Sequence, residues 1–316
     1  MKTGLRRCSI FIISGMMMGL AFSADSLARD ADEPGRRLTI VHQGIKRSCK
    51  VQYPPALLTE DKRAPLVLVL HGGGGNADHA ERMTGFTEKA LSENFIVAYP
   101  EGTGRFGKFL TWNAGHCCGW AMKQRVDDVG FIDALLTELI KNYPVDPRRI
   151  YVTGLSNGGM MTHRLGSALS HRIAAIAPVI AALFGDEAQP ARPVSAIMIN
   201  GMKDESVPWQ GGPPGGRFSD AWDQTPVRPA LEQAVFWAAA NGCEMKPDRR
   251  ETSEVVLAQF RCPEGRAVEL HLVKDNGHAW PGGEPGSRRG DKPVSSPRAT
   301  NVIWEFFKAH PGAMPE

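Results

Sequence analysis

Short apolar runs and longer segments with helical spacing alternate along most of the chain. Residues 66–70 form a continuous apolar run, which is typical of a strand buried on both faces. Residues 127–142 instead carry apolar side chains at the three- and four-residue spacing of an amphipathic helix. The same criteria predict strands at residues 38–42, 48–53, 66–70, 95–99, 149–153, 173–179, 196–200, 255–260 and 268–273. They predict helices at residues 78–93, 127–142, 159–165, 228–241 and 298–310.

The order of these elements predicts the fold class. Strands that alternate with helices favour one mostly parallel sheet with helices on both faces, which is an α/β architecture. No stretch of linker composition divides the chain, and no internal repeat is visible. We therefore predict a single domain over residues 29–316.

The N-terminal residues have the layout of a secretory signal peptide. Lys2 and two arginines precede an apolar stretch that ends at Phe22, and small residues suitable for cleavage follow at Ala24 and Ala28. The apolar stretch is shorter than the ~20 residues needed to span a bilayer, so we predict cleavage rather than a membrane anchor. Removal of residues 1–28 would release a protein that is extracellular or periplasmic.

Composition and charge exclude several classes of partner. The chain has 316 residues, of which 42% are hydrophobic, and this is enough for a large core. Its 37 basic and 34 acidic residues are interspersed and give a net charge of +3. Because no basic stripe or block of like charge is present, we predict no nucleic-acid partner and no stable membrane attachment.

Export would permit disulfides, and five of the six cysteines lie after the predicted signal peptide. Cys243 and Cys262 are the predicted pair, because one bond between them could join a helix end to a strand end. Cys117 and Cys118 could bond to each other, or one of them could reach Cys49. An odd number of cysteines leaves one thiol over, and its identity stays open.

The most informative motif is the sequence GLSNG at residues 154–158, between a predicted strand and a predicted helix. A G-x-S-x-G sequence in this context is a nucleophile elbow, whose sharp turn exposes the oxygen of the serine, here Ser156. The flanking glycines leave room that a Cβ atom would fill. Such a serine indicates acyl transfer through a covalent intermediate. This chemistry requires no cofactor and no metal, and we predict neither.

A serine nucleophile needs a base, usually a histidine that is held by a carboxylate. In the α/β-hydrolase fold the order along the chain is serine, then acid, then histidine, each partner following a later strand. His278 follows the strand predicted at residues 268–273 and is the predicted base. By contrast, His271 lies within that strand, His171 begins another, and His163 is two helical turns beyond the nucleophile.

Asp204 is the predicted acid, because it follows directly after the strand predicted at residues 196–200. Glu205 would point the other way in a tight turn. Asp275 is too close in sequence to the histidine to approach its outer ring nitrogen without a contorted loop. Other carboxylates considered for the role are those of Asp220 and Asp223.

The tetrahedral intermediate of acyl transfer carries a negative charge that backbone N–H groups stabilise. Asn157, the residue after the nucleophile, is expected to supply one donor, and the glycine-rich loop at residues 71–76 the other. We assign the second donor to Gly73, with Gly74 as the alternative. Because no Gly-Lys-Ser/Thr sequence follows these glycines, a phosphate-binding loop is not favoured.

Seven motifs carry a resemblance to one family of secreted enzymes. They are LHG at 70–72, TWNAG at 111–115, VDDVGFI at 126–132, GLSNGGM at 154–160, the segment 201–208, NGC at 241–243 and GHAWPG at 277–282. Between about residues 38 and 310 the chain resembles the polyhydroxybutyrate-depolymerase-like esterases, which are similar to feruloyl and acetyl-xylan esterases. The resemblance implies an α/β-hydrolase fold, secretion, and a triad of Ser156, Asp204 and His278 without a cofactor.

Three irregular segments follow strand ends and are expected to surround the site, at residues 101–125, 205–227 and 280–297. They include Trp112, Trp209 and Trp280, which we predict to contact a sugar ring or a phenolic acyl group of the substrate. The predicted substrates are feruloyl esters, short-chain acyl esters and 3-hydroxybutyrate oligomers, free or as part of a polymer.

Two other functions are compatible with the same scaffold. A serine peptidase of this fold normally adds a β-propeller or a larger cap. A non-catalytic protein that binds carbohydrate or polymer normally lacks a member of the triad. All three predicted triad residues are present, which favours the esterase.

Overall fold

The computed structural model describes residues 36–59, 62–217, 219–286 and 290–312. The predicted signal peptide and its cleavage sites lie outside the described residues. Among the described residues, no helix combines the length and the apolar composition that a membrane span needs.

Ten strands in the described part of the chain form one sheet. In chain order they are β1 (Arg36–His42), β2 (Ile45–Gln52), β3 (Ala64–Leu70), β4 (Ile96–Pro100), β5 (Val145–Leu155), β6 (Ala175–Val179), β7 (Ser195–Gly201), β8 (Asp248–Glu251), β9 (Val255–Phe260) and β10 (Val268–Val273). Their spatial order is β1-β2-β4-β3-β5-β6-β7-β10-β9-β8.

The six central strands, from β4 to β10 in the spatial order, are all parallel. Antiparallel pairs extend the sheet at both edges, with β1 and β2 on one side and β9 and β8 on the other. The prediction of a mostly parallel sheet of the α/β-hydrolase class is therefore confirmed.

Helices cover both faces of the sheet. They are α1 (Ala77–Thr84), α2 (Phe86–Glu93), α3 (Gly119–Lys123), α4 (Asp128–Asn142), α5 (Asn157–Ala168), α6 (Ala230–Asn241) and α7 (Ala299–Ala309). The single helix predicted over residues 78–93 is wrong, because Gly85 separates α1 from α2. Its φ of 64° lies in the left-handed region, and its N–H caps α1 by donating to Glu81 O.

The alternation of side chains along β3 builds two cores. Leu66 and Leu68 pack into a cluster that includes apolar residues of α4, α5 and α6. Val67 and Val69 point to the other face, where the cluster includes residues of α1, α2 and α7. Successive side chains of a strand point to opposite faces, so a continuous apolar run is the signature of this doubly covered position.

The disulfide predicted between Cys243 and Cys262 is present and ties the end of α6 to the residues after β9. Cys117 and Cys118 are bonded to each other, which decides between the alternatives left open above. The remaining described cysteine, Cys49, is a buried free thiol, and burial raises its pKa.

Candidate active site

Ser156 lies at a sharp turn between β5 and α5. Its φ of 56° and ψ of −123° are an uncommon conformation for a residue with a side chain, and such strain is found at functional sites. The turn is possible because a Cβ on Gly158 would lie 2.5 Å from His71 O, and one on Gly154 would lie 2.7 Å from Gly158 C. The backbone N–H of Ser156 donates to Val179 O at 3.0 Å.

Asp204 and His278 are in direct contact at the carboxyl ends of β7 and β10. Nδ1 of His278 lies 2.9 Å from Oδ2 of Asp204, whose side chain is 1% exposed. The other carboxylate oxygen, Oδ1, accepts the backbone N–H groups of Ser206 at 2.7 Å and Val207 at 2.9 Å. An ionised carboxylate only accepts, so the histidine proton is on Nδ1 and Nε2 is left as an acceptor.

Other side chains hold the loop of His278 in place. Asn276 is fully buried, and its side-chain amide donates to Gly277 O at 2.9 Å and to Ala279 O at 2.7 Å. Asp291 accepts the backbone N–H of His278 at 2.6 Å. Sequence reasoning missed both residues, although the DNGH sequence before the histidine marks a turn at which a buried asparagine could be sought.

The rival histidines and acids have other partners. His271 bonds Glu269 at 2.9 Å within the sheet, and Asp275 pairs with Lys203 at 2.7 Å on the surface. His163 is buried, accepts the indole N–H of Trp237 through Nδ1 at 2.9 Å, and therefore donates through Nε2.

Ser156 and His278 come from strands whose carboxyl ends meet at one edge of the sheet. Among the described residues, no hydrogen bond joins Oγ of Ser156 to Nε2 of His278. Catalytic hydrogen bonds are often long before substrate binds. We therefore expect this contact to close when substrate binds.

The glycine-rich loop after β3 lies beside the nucleophile. A Cβ on Gly72 would be 3.7 Å from Ser156 Cβ, and one on Gly73 would be 3.7 Å from Asn157 Cβ. The N–H of Gly74 is already used, because it donates to Leu110 O at 2.8 Å. Asn157 is the first residue of α5, so its N–H has no acceptor within the helix. This arrangement favours Gly73 over Gly74 as the second donor.

The side chain of Asn157 clamps the neighbouring segment to the elbow. Its Oδ1 accepts the backbone N–H of Trp112 at 2.7 Å, and its Nδ2 donates to the carbonyl of the same residue at 2.9 Å. The Trp112 indole N–H in turn donates to His71 O at 3.0 Å. These bonds connect the nucleophile elbow, the 110–118 segment and the glycine-rich loop. Local sequence could not predict these bonds, because their partners are 45 and 41 residues apart along the chain.

His71 is a neutral, fully buried member of this network. Its Nε2 accepts the N–H of Gly102 at 3.0 Å, so the ring proton is on Nδ1, which donates to Gly72 O at 2.8 Å. Burial lowers the pKa of His71 to about 4. The imidazole thus fixes the orientation of the peptide that precedes Gly73.

The two buried histidines make stability depend on pH. Burial lowers the pKa of His163 to about 3 and that of His71 to about 4, from an ordinary value of 6.5. Their contribution to the free energy of unfolding is complete at a pH above their pKa in the unfolded state. It is lost as pH falls below that pKa, by ~1.4 kcal/mol per pH unit for each group. The substitution His163→Gln removes one of these groups. Between about pH 6 and about pH 5, its free energy of unfolding, measured by urea titration at each pH, should fall less steeply with pH than that of wild type, by ~1.4 kcal/mol per pH unit. An equal pH dependence in the two proteins would show that His163 takes up its proton as readily in the folded chain as in the unfolded chain.

The structure contradicts the expected substrate contacts of Trp112 and Trp280. Both side chains are fully buried in the two cores, so neither offers surface to a ligand. The indole N–H of Trp280 donates to Thr300 Oγ1 at 3.0 Å. Trp209 is half-buried, and its contact with substrate stays a prediction.

Asp127 and Asp128, interpreted from the sequence as structural, hold the start of α4. Asp127 is the N-cap, and its Oδ1 accepts the N–H of Gly130 at 2.9 Å. Asp128 forms a buried ion pair with Arg47 at 2.7 Å and accepts the N–H of Asn113 at 2.7 Å. Burial raises the pKa of Asp128, and the neighbouring Arg47 opposes that shift. The segment that follows Trp112 is thereby anchored to a fixed charge pair.

Comparison with known proteins places this site in a family. A family model described as esterase PHB depolymerase matches residues 48–210, a range that includes Gly73, Ser156 and Asp204. The chain belongs to this family. The resemblance predicted from the sequence is thereby confirmed, and His278 lies beyond the matched range.

Two named relatives are similar to the chain. Feruloyl esterase B of Piromyces equi is 32% identical over 240 residues, covering 73% of this chain and 42% of that protein. The poly(3-hydroxybutyrate) depolymerase of Ralstonia pickettii is 32% identical over 259 residues, covering 72% of this chain and 50% of that protein. The chain thus spans half or less of the length of these two relatives.

Solved structures show the same fold. The acetyl xylan esterase from Aspergillus awamori superimposes with a TM-score of 0.60 at 14% identity, covering 87% of this chain and all of that one. The acylaminoacyl peptidase of Pyrococcus horikoshii gives a TM-score of 0.52 at 13% identity, covering 93% of this chain and 44% of that one. At these identities the similarity concerns the fold alone.

Proposed function

We propose that the protein is a serine hydrolase that cleaves carboxylic esters through an acyl-enzyme on Ser156. The observation that carries the proposal is the contact of His278 with the buried Asp204, at the sheet edge that also holds the strained serine turn. Family membership and the names of the relatives support ester hydrolysis.

In the proposed mechanism, Nε2 of His278 removes the proton of Ser156 Oγ as that oxygen bonds to the acyl carbon. Asp204 keeps the other ring proton on Nδ1 and stabilises the imidazolium that forms. The negative oxygen of the tetrahedral intermediate accepts the N–H groups of Gly73 and Asn157. The alcohol leaves with the proton from Nε2, and a water activated by the same nitrogen then releases the acid.

The proposed substrates are feruloyl, short-chain acyl or 3-hydroxybutyrate esters, carried by a small molecule, an oligomer or a polymer. The named relatives include a feruloyl esterase, an acetylxylan esterase/xylanase and a poly(3-hydroxybutyrate) depolymerase. Of the three tryptophans predicted to contact substrate, Trp209 is the one that is only half-buried, and we propose that it contacts an aromatic or sugar group.

Secretion, to the periplasm or the exterior, is part of the proposal. The two disulfides support it, since such bonds persist in oxidising compartments. Sequencing the N-terminus of protein recovered outside the cytoplasm tests it, and a chain that still carries residues 1–28 would contradict cleavage.

A fluorophosphonate probe, which phosphonylates activated serines, tests the proposed nucleophile. We expect peptide mapping to place the adduct on Ser156, because this is the serine whose turn faces the glycine-rich loop. Methyl ferulate, acetylated xylan and hydroxybutyrate oligomers should slow the labelling to the extent that each occupies the site, because acylated or substrate-bound enzyme cannot react with the probe. Ester hydrolysis that persists in protein labelled to completion, or an adduct on another serine, would contradict the assignment.

A further inference from the structure

A cavity of about 510 Å³ lies beside the C-terminal half of α5. Its walls come from the segments 113–115 and 122–129, from Arg164 of α5, and from Asp223. Small-molecule sites have volumes of roughly 300–1,000 Å³, so a ligand of one or two rings would fit. Ser156, Asp204 and His278 are not among the lining residues, so this is a separate cavity.

Three carboxylates line the cavity, and each is already paired with a basic side chain outside the lining. The pairs are Asp127 with His42 at 2.9 Å, Asp128 with Arg47 at 2.7 Å, and Asp223 with His116 at 2.7 Å. His116 also bonds Asp186 at 2.9 Å; burial alone would lower its pKa, but the two carboxylates raise it. Each of these carboxylates therefore already has a hydrogen-bonded partner, and the Arg47 guanidinium balances the charge of Asp128.

The two arginines of the lining form no ion pair among the described residues, although the positive charge of Arg164 interacts with the carboxylates of Asp127 and Asp128. Arg164 Nη1 lies 3.3 Å from the carbonyl of Asn113, a weak contact that leaves its other N–H groups available. Arg125 is exposed, and its backbone has a φ of 52°, in the left-handed region that residues other than glycine rarely adopt. Within the described ranges, neither guanidinium has a carboxylate at salt-bridge distance.

The geometry points to a second ligand site, for a sugar acid: a ring that carries several hydroxyls and one carboxylate. Arginine recognises carboxylates through paired N–H donors, which Arg125 and Arg164 provide. The oxygens of Asp127 and Asp223 keep lone pairs that can accept sugar hydroxyls. Met122 and Val129, which also line the cavity, offer apolar surface to the face of a ring.

Hydrogen bonds connect one wall of this separate cavity to the nucleophile elbow. Asn113 follows Trp112, whose backbone is clamped to Asn157, and the N–H of Asn113 is held by the buried Asp128. A polysaccharide bound here through an acidic residue would therefore lie against the segment that also borders the nucleophile. Binding at the cavity does not depend on hydrolysis, so its failure and the failure of the proposed function are separate results.

Titration of the folded protein with D-glucuronate, followed by NMR or calorimetry, tests the site. We expect saturable binding, with D-glucose and acetate each at least about tenfold weaker, because glucose lacks the charged hydrogen bonds and acetate lacks the ring. Arg164→Gln and Arg125→Gln should each weaken glucuronate binding by about fivefold or more. Arg249→Gln, an exposed arginine of β8 that is not part of the lining, is the matched control and should bind as wild type.

Several results would overturn the inference. Absence of saturation by glucuronate would exclude the site, and equal affinity for glucose or for acetate would exclude a sugar acid as its ligand. Unchanged affinity in both arginine variants would place any binding elsewhere. If Arg164→Gln proves unfolded by thermal denaturation, the exposed Arg125 still decides the question, because its replacement removes no described contact.

Discussion

Ser156→Ala is expected to lower kcat for p-nitrophenyl butyrate by about 10⁶-fold, toward the residual rate that oxyanion donors and substrate binding alone sustain. Without Oγ no acyl-enzyme can form, and the remaining groups can only assist direct attack by water. The fold should survive, because the turn depends on the backbone N–H of Ser156 and on its glycine neighbours, which the substitution retains.

The control for this experiment is Ser253→Ala, an exposed serine in the turn between β8 and β9. It should keep wild-type kcat and KM, while both variants keep the wild-type midpoint of thermal unfolding. If Ser156→Ala retained more than about a hundredth of the activity while folded, a different nucleophile would be at work.

The local pattern of apolar residues is sufficient to predict the strands that are buried on both faces of the sheet. The apolar run at residues 66–70 has the composition of a strand covered on both sides, and the two cores confirm it. The same strand order brings the loops with Asp204 and His278 together, since parallel neighbours end at the same edge of the sheet. The contact of these two residues followed from order along the chain rather than from any local signal.

Two tryptophans show where prediction from local composition fails. Trp112 and Trp280 lie in glycine-rich irregular segments with no hydrophobic period, and such segments are usually at the surface. Here both side chains turn inward, and each indole N–H finds an acceptor, His71 O and Thr300 Oγ1 respectively. The acceptors are 41 and 20 residues away in sequence, so composition alone could not reveal them.

The same limit applies to the groups that support the triad. The sequence predicts a role for the backbone N–H of Asn157, whereas its side chain makes two hydrogen bonds to the backbone of Trp112, which is 45 residues away. Asn276 holds the histidine loop through bonds that depend on the tertiary position of its neighbours. Polar residues of this kind look like ordinary turn formers until the fold provides their partners.

Asp204→Asn is expected to lower kcat by about 10⁴-fold with little change in KM. The reason lies in the two bonds that hold the carboxylate. Ser206 and Val207 both donate to Oδ1, so the new side chain must place its oxygen there and its NH₂ group toward His278. Nδ1 of His278 would then have to accept, which moves the ring proton to Nε2. An imidazole protonated at Nε2 cannot take the proton of Ser156.

Asp275→Asn is the matched control, because Asp275 is the carboxylate nearest in sequence to His278 and is paired with Lys203 at the surface. It should leave kcat and KM at wild-type values. A loss that is larger in Asp275→Asn than in Asp204→Asn would transfer the role of the acid to Asp275. If Asp204→Asn kept more than about a tenth of the wild-type kcat, the tautomer of His278 would not depend on this carboxylate. The effect on the ring proton is specific, since a loss of packing alone would lower the unfolding midpoint and kcat together.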